Sequence, residues 1–405
     1  MTPEGRPHTS VPVRRIAHIP DPVRFARFRH APELGPRLLF FSGGNALRTL
    51  SRHLIDYTYN SIHLITPFDS GGSSEELRRA FHMPAVGDLR NRLMALADQT
   101  VRGNPEIYTL FAFRFPTDED AEALQARLDG MVRGTDALVA EVPEPLRGIM
   151  RNHLAFFQDS MPAGFDLRGA AIGNLVLTGG YLNQNRNLDS VLYLFSQLVE
   201  ARGVVRPVVD CDLHLVAELE DGRTVVGQHR ITGRTEPALD VPVRRVTLTR
   251  PGPGAVPHRP VIDELVENLI EQADLICFPV GSFYSSLLAT LLPDGVADAV
   301  VRSEAPKVYV PNPDGTDPEE LGLDLPGKVE RLLACLREGA AANDVAVRDV
   351  LQYVFVDGNS GDVPASSIDA VRRLGVEVVD VPPESPESAP LHDDRLLAEA
   401  LLSMV

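Results

Sequence analysis

Residues 37–50 run R-L-L-F-F-S-G-G-N-A-L-R-T-L. Leu38 to Phe41 is an unbroken apolar run. It stops at Ser42-Gly43-Gly44-Asn45, and helical spacing begins at Ala46, Leu47 and Leu50. The pattern predicts a buried strand, a tight glycine turn and a helix. Two positions without side chains let a ligand approach the backbone. The helix start beyond them offers N–H groups and partial positive charge, which suit an anion such as phosphate. The turn matches neither G-x-G-x-x-G nor the phosphate loop ending in Lys-Ser/Thr, so alone it reads equally well as a structural connection.

A second turn of the same kind follows. Ser61 to Thr66 alternates into an apolar strand, and Pro67-Phe68-Asp69-Ser70-Gly71-Gly72-Ser73-Ser74 leads into Glu75-Glu76-Leu77-Arg78-Arg79. Ser73 or Ser74 suits a helix N-cap, and acids followed by arginines suit the helix dipole. Capping accounts for the serines but not for a Gly-Gly pair beside an aspartate at a strand end. Ligands of open parallel sheets bind beyond the carboxyl ends of the strands, where two such turns lie side by side.

S-G-G-N-A-L at 42–47, D-S-G-G-S-S at 69–74 and P-A-V-G-D-L-R-N at 84–91 together resemble the CofD/YvcK family. The likeness continues through I-G-N-L at 172–175, L-V-A-E-L-E-D-G at 215–222, A-D-L-I at 273–276, G-S-F-Y-S-S at 281–286, K-V-Y-V at 307–310 and His392-Asp393. It spans roughly Arg37 to the C-terminus, and residues 101–168 carry no matching motif. Departures are local. Ser42 and Ala46 stand where the family has glycines, Asn45 stands for a threonine, Asp69-Ser70 for an aspartate pair, and Pro279-Val280-Gly281-Ser282 for G-P-G-S. The pattern is closest to the divergent GAK-system CofD-like subfamily.

CofD-like members transfer a phospholactyl-type group from a guanosine diphosphate conjugate to a deazaflavin precursor with magnesium. YvcK-like members bind nucleotide sugars and influence carbon metabolism and the cell envelope. The resemblance therefore implies a transferase acting on a nucleoside-diphosphate-linked donor, with a deazaflavin as one candidate acceptor, or a non-catalytic nucleotide-sugar-binding regulator. It implies Mg²⁺ on Asp69. Asp88 then coordinates the same ion, activates the acceptor hydroxyl or caps the helix carrying Arg90, while Arg90 steadies phosphate charge. Ligand contacts are implied at Gly43, Gly44, Asn45, Gly71, Gly72, Ser73, Ser74, Gly87, Asn91, Gly173, Asn174, Gly281 and Ser282, and the family leans towards homodimers. His392-Asp393 reads either as an N-cap or as a weak site candidate.

Composition narrows the classes. The 405-residue chain is 44% hydrophobic and carries a net charge of −17. Such an acidic chain argues against a non-specific nucleic-acid or anionic-membrane surface, either of which needs a basic face. Arginines at 78, 79, 90, 92 and 102 make one segment less acidic, which suits either a phosphorylated ligand or a solvated helix face. Cys211, Cys277 and Cys335 show neither zinc spacing nor a closed disulfide framework. No apolar run approaches ~18 residues, so a cytoplasmic location is expected.

Taken in order, residues 1–36 form an N-terminal extension with seven prolines, in which 23–28 reads as an edge strand or an arm on the body. Residues 37–405 form one α/β unit. A helix follows Asn91 to near Gly103, and 101–168 is a helical insertion, either a cap over the cleft or a plain subdomain. His153 reads as a packed histidine. Leu213 to Ile231 reads as a hairpin with His214 and His229 facing outward, and Pro251 to Pro260 as a stiff boundary loop. A helix then opens at Pro260-Val261. Gly281-Ser282, a third glycine turn, offers N–H groups to a diphosphate or base. The expected fold is α/β, a mainly parallel doubly wound (Rossmann-like) sheet with an added β-hairpin and a helical insertion.

Overall fold

The computed structural model describes residues 16–98, 103–233, 237–252, 256–313, 315–357, 363–381, 385, 388 and 391–405. Its strands are β1 Leu38–Ser42, β2 Ile62–Ile65, β3 Val204–Pro207, β4 His214–Leu219, β5 Thr224–Val226, β6 Val243–Thr249, β7 Leu275–Phe278, β8 Lys307–Tyr309, β9 Tyr353–Val356 and β10 Glu377–Asp380. Seven form a parallel sheet in the order β10-β9-β8-β7-β1-β2-β3, and three form an antiparallel sheet in the order β5-β4-β6. From β1 the chain steps outward through β2 to β3, then returns to the other side of β1 and steps outward from β7 to β10. The reversal lies between β1 and β7, paired Leu38 to Leu275. Ligands of open α/β sheets bind at the carboxyl ends of the strands flanking such a reversal.

The apolar run of β1 follows from this central place. Leu39 and Phe41 pack into one core with β4, β6 and the helices behind them, while Leu38 and Phe40 pack into another on the opposite face. A strand buried on both faces reads as a continuous apolar run rather than an alternating one.

The helices in chain order are α1 Pro22–His30, α2 Arg48–Leu54, α3 Gly72–Phe81, α4 Gly87–Leu96, α5 Pro105–Ala112, α6 Ala121–Arg133, α7 Ala137–Glu141, α8 Leu146–Ser160, α9 Ile172–Asn183, α10 Leu188–Leu198, α11 Gln228–Ile231 and α12 Glu264–Glu271. A π-helical turn Phe283–Leu288 runs into α13 Ala289–Leu291, and α14 Val296–Arg302, α15 Leu325–Gly339, α16 Val347–Val350, α17 Ala365–Arg373 and α18 Asp394–Ser403 complete the set. No helix among the described residues is long and apolar enough to cross a membrane.

Several local expectations change. Residues 23–28 lie in α1, not an edge strand; the helix docks on α18, where the Asp21 N–H donates to Ser403 Oγ at 3.0 Å. The helix after Asn91 ends at Leu96, and the one expected from Pro260 starts at Glu264, because Asp263 caps it by accepting from the Val266 N–H. The hairpin gains a third strand, β6, and its return arm stops at Val226. The 101–168 helices spend their apolar residues, among them Leu124, Met150 and Phe157, on a core shared with α9 and α10. His153 belongs to that core, stacked 5.9 Å from Phe195. The Pro251–Pro260 loop, partly outside the described residues, folds back so that the His258 N–H donates to the Leu248 carbonyl at 2.7 Å.

Candidate functional site

A cleft of about 300 Å³ opens beyond the carboxyl ends of β1, β2 and β7. Of the candidate residues, all but Gly173, His392 and Asp393 line it: Gly43, Gly44 and Asn45 after β1, Asp69 and Gly71 to Ser74 after β2, Gly87, Asp88, Arg90 and Asn91 at the start of α4, Asn174 in α9, and Gly281 and Ser282 after β7. The glycines are needed for contact. A Cβ on Gly44 would lie 2.1 Å from Asp88 Oδ1, so the β1 turn and α4 could not meet over any larger residue. Gly72 has φ +52°, a left-handed value that turns the chain into α3. Gly173 acts from behind, since a Cβ there would lie 2.7 Å from Arg90 Cδ.

Helices α3, α4 and α9 all begin at this cleft, and none has a side-chain N-cap. Elsewhere some helices are capped by their own side chains, Asp21, Asn187, Asp263, Asp324 and Asp393 each accepting a first-turn N–H, while others, such as α2, α6 and α17, are not. The Ile172 N–H of α9 is taken by the Phe113 carbonyl. That leaves the starts of α3 and α4 as a facing pair of positive dipole ends.

Arginine strengthens this bank. Arg90 is buried, and its Nη2 donates to Asn91 Oδ1 at 2.5 Å, while Asn91 Nδ2 donates to Asn45 Oδ1 at 3.3 Å. The bonds tie α4 to the β1 turn. Burial, then repulsion from Arg114, lowers the Arg90 pKa to about 10, with Asp88 acting in the opposite sense. A guanidinium in that setting gains from a nearby anion. Of the other arginines in the segment, Arg78 and Arg92 are structural. Arg78 is held to Asp212 at 2.6 Å and to the Phe68 and Asp69 carbonyls; Arg92, fully buried, bonds Ser51 Oγ and the Gly43 carbonyl. They pin the two glycine turns from behind. Arg79 pairs with Glu76 in solvent, and Arg102 lies outside the described residues.

The β7 bank differs. The Gly281 N–H donates to Asn312 Oδ1, the Phe283 N–H to Asp317 Oδ2, and the Tyr284 and Ser285 N–H groups to Glu319 Oε2, each at 2.7–2.8 Å. Asn312, Asp317 and Glu319 thus supply internal acceptors to Gly281 and to the first three residues of the π-helical turn. The expectation that this third turn offers N–H groups to a diphosphate or base is narrowed: Gly281 and Ser282 face the cleft, but the Gly281 N–H is already given to Asn312. His392 and Asp393 are absent from the lining; Asp393 caps α18 and His392 Nε2 bonds the Pro311 carbonyl.

The family model for 2-phospho-L-lactate transferase CofD matches residues 38–387. The chain belongs to the CofD family. Among curated proteins it is similar to a putative gluconeogenesis factor of Nostoc sp., 27% identical and covering 91% of this chain and 68% of that one. It also resembles the gluconeogenesis factor of Bacillus subtilis, 29% identical over 68% of each chain, and a putative gluconeogenesis factor of Thermoanaerobacterium thermosulfurigenes, 25% identical over 92% of this chain and 97% of that one. A solved UPF0052-family protein from Bacillus halodurans superposes with a TM-score of 0.65 at 22% identity, covering 91% of this chain and 99% of that one. That likeness bears on the fold alone.

Within this CofD fold, sequence reading missed Ala46, Arg114, Gln228, His229, Thr232 and Ser286 of the lining. Arg114 comes from the insertion, where no motif marks it. Gln228, His229 and Thr232 follow Gly227, whose φ of +103° ends β5 and starts α11. The outward placement of His229 is therefore corrected: it lines the cleft, and its Nδ1 lies 2.8 Å from Ser70 Oγ. Gln228 Nε2 donates to the Ser285 carbonyl at 3.0 Å, so α11 bridges the two banks. Among the described residues, Asn174 Oδ1, Gln228 Oε1 and Arg90 Nε are buried with no hydrogen-bond partner.

Proposed function

We propose that the chain is a CofD-type transferase acting on a nucleoside-diphosphate-linked donor, whose phosphates rest between the starts of α3 and α4. The observation that carries this reading is the convergence of those two uncapped helix starts with buried Arg90 at the sheet's reversal point. Arg90 and Arg114 would balance phosphate charge, and Asn174 Oδ1 and Gln228 Oε1 would accept hydrogen bonds from N–H or O–H groups of the donor. Asp88 or His229 would take the proton of an acceptor hydroxyl. No nucleophile triad is apparent among the described residues of the cleft, so direct displacement is the simpler course. A homodimer, a cytoplasmic location and a deazaflavin acceptor belong to the same reading.

Magnesium is part of the proposal. No group of three or more His, Cys, Asp or Glu among the described residues forms a metal cage. Mg²⁺ does not need one, because it usually keeps several waters and takes one or two carboxylates plus substrate phosphates. Asp69 fits that use: its Oδ1 accepts the Gly71 N–H at 3.1 Å, and a Cβ on Gly87 would lie 3.7 Å from its Oδ2, so the carboxylate is fixed and faces the α4 start. The ion would neutralise charge on bridging phosphate oxygens.

One observation favours a second reading, a non-catalytic nucleotide-sugar-binding regulator. Ser70, where the family has a second aspartate, bonds His229 and is buried. A thermal-shift panel of GDP, GMP, UDP, UDP-sugars, ADP and a deazaflavin, with and without Mg²⁺, separates the two. A ligand at 100 times its dissociation constant adds about 2.7 kcal/mol. A Mg²⁺-dependent guanosine or deazaflavin response followed by donor cleavage supports the transferase; a metal-independent UDP-sugar response without turnover supports the regulator. Undiminished binding and turnover of Asp69→Ala at limiting Mg²⁺ would remove the metal role.

A further inference from the structure

A second cavity of about 260 Å³ lies between the outer edge of β6 and helix α15. Its wall includes Leu248, Leu288, Leu292 and Cys335, so its body is apolar. Its charged lining is one-sided in a chain of net charge −17: Arg244, Arg245, Arg259 and Arg331 against the single carboxylate of Glu338. The arginines pair outside the cavity. Arg244 and Arg245 share Glu218, Arg259 pairs with Asp294 at 2.9 Å, and Arg331 lies 4.0 Å from Glu220. All four arginines are a third or more exposed, and the Arg331–Glu220 pair is at the limit of contact; solvent-screened pairs of this kind hold weakly, so a guanidinium exchanges its partner at little cost.

The cavity is also held in shape. The β6 edge is covered at one end by His258, whose N–H bonds the Leu248 carbonyl, and at the other by Arg331, whose Nη1 donates to the Arg244 carbonyl at 2.7 Å. Tyr284 fixes the floor by donating its hydroxyl to the Val243 carbonyl at 3.0 Å. Tyr284 and Leu288 belong to the π-helical turn whose Ser286 lines the cleft, so the two cavities lie against the same turn.

We propose that this cavity is a second binding site for a small amphipathic anion, with an aryl or short acyl body and one carboxylate, sulfonate or phosphate group. The apolar wall takes the body, and the rim guanidinia take the anionic group by charge-assisted hydrogen bonds.

The probe is 1-anilinonaphthalene-8-sulfonate titrated into the full-length protein, with decanoate as competitor. Saturable binding of one probe per chain, displaced by decanoate, is expected. Arg259→Glu combined with Arg244→Glu, both exposed changes, is expected to weaken it at least tenfold, and Arg259→Lys to retain most of it. Ala334→Trp fills the mouth from the exposed face of α15 and is expected to abolish binding; as the chain has no tryptophan, its emission also reports whether the new side chain is buried. A melting curve on each variant checks folding. Absence of saturable binding, or equal affinity in the charge-reversed and mouth-filled proteins, overturns the proposal.

Discussion

The two banks of the cleft use the same device to opposite ends. On the β7 bank, Asn312 accepts the Gly281 N–H, and Asp317 and Glu319 accept the first N–H groups of the π-helical turn. On the β1–β2 bank, α3 and α4 start with glycine or apolar N-caps whose side chains accept nothing. One bank carries its anion within the chain. In the proposed function the other, which also holds Asp69 and Asp88, takes a phosphate from outside beside buried Arg90. A missing cap alone does not mark a ligand site, since α6 and α17 also start without one; what sets α3 and α4 apart is that their starts meet at the strand ends beside buried Arg90.

The largest expected effect lies on the internally satisfied bank. Glu319 is fully buried against two backbone N–H groups and bonds the Ser285 hydroxyl. Glu319→Ala removes these acceptors together and is expected to cost about 3 kcal/mol or more, because buried donors left unmatched lose their full desolvation energy. Urea unfolding measures it; a loss under about 1 kcal/mol would mean the turn holds without its internal anion.

The same residue gives a pH signature. Burial, with Asp317 adding to it, pushes Glu319 up to about 7. A carboxyl whose folded pKa exceeds its unfolded value binds protons more tightly when folded. Its contribution is therefore present below the ordinary Glu range, about pH 4, and is lost as pH rises towards about 7. Glu319→Gln is expected to remove that slope, so the stability difference should shift in favour of the variant from about pH 5 to about 7.5. Parallel curves across this window would show that Glu319 stays ionised.

On the other bank the readout is affinity. Arg90→Ala is expected to weaken nucleoside-diphosphate binding roughly 10- to 150-fold, the worth of about 1.5–3 kcal/mol for a hydrogen bond to a charged group. Stability should change little, because Arg90 is repelled by Arg114. Calorimetry and a melting curve on one sample decide it: unchanged affinity with lowered stability would make Arg90 a strut between Asn91 and Gly173.

The contrast also marks what the sequence could reveal. The glycine turns after β1 and β2 were legible because strand, turn and helix are contiguous, and a backbone that must face a ligand or Asp88 selects glycine locally. The parallel order followed from alternating elements and the doubly buried apolar run of β1. Arg114, Gln228 and His229 were not legible, since each reaches the cleft from a distant element and only the φ of Gly227 redirects the chain there. The satisfied state of the Gly281 turn was equally hidden, because Asn312, Asp317 and Glu319 look in sequence like an ordinary acidic loop.

The smallest expected effect tests the comparison most directly, by converting one bank into the other. Gly71 is the N-cap of α3 with φ −109° and ψ 151°, an extended conformation that any residue adopts. A Cβ there would meet Asp69 Oδ1 at 3.5 Å and the His229 Cβ at 3.6 Å, both ordinary contacts. Gly71→Asp therefore gives α3 the internal acceptor that Glu319 gives the π-helical turn. Replacing a glycine cap with aspartate is worth a few tenths of a kcal/mol, and the dipole adds about 0.3–1, less the repulsion from Asp69. A small rise in melting temperature without ligand is expected, together with roughly tenfold weaker binding of a diphosphate. A rise in both stability and affinity would show that ligand and cap do not compete for the same N–H groups, and that the phosphate rests on α4 alone.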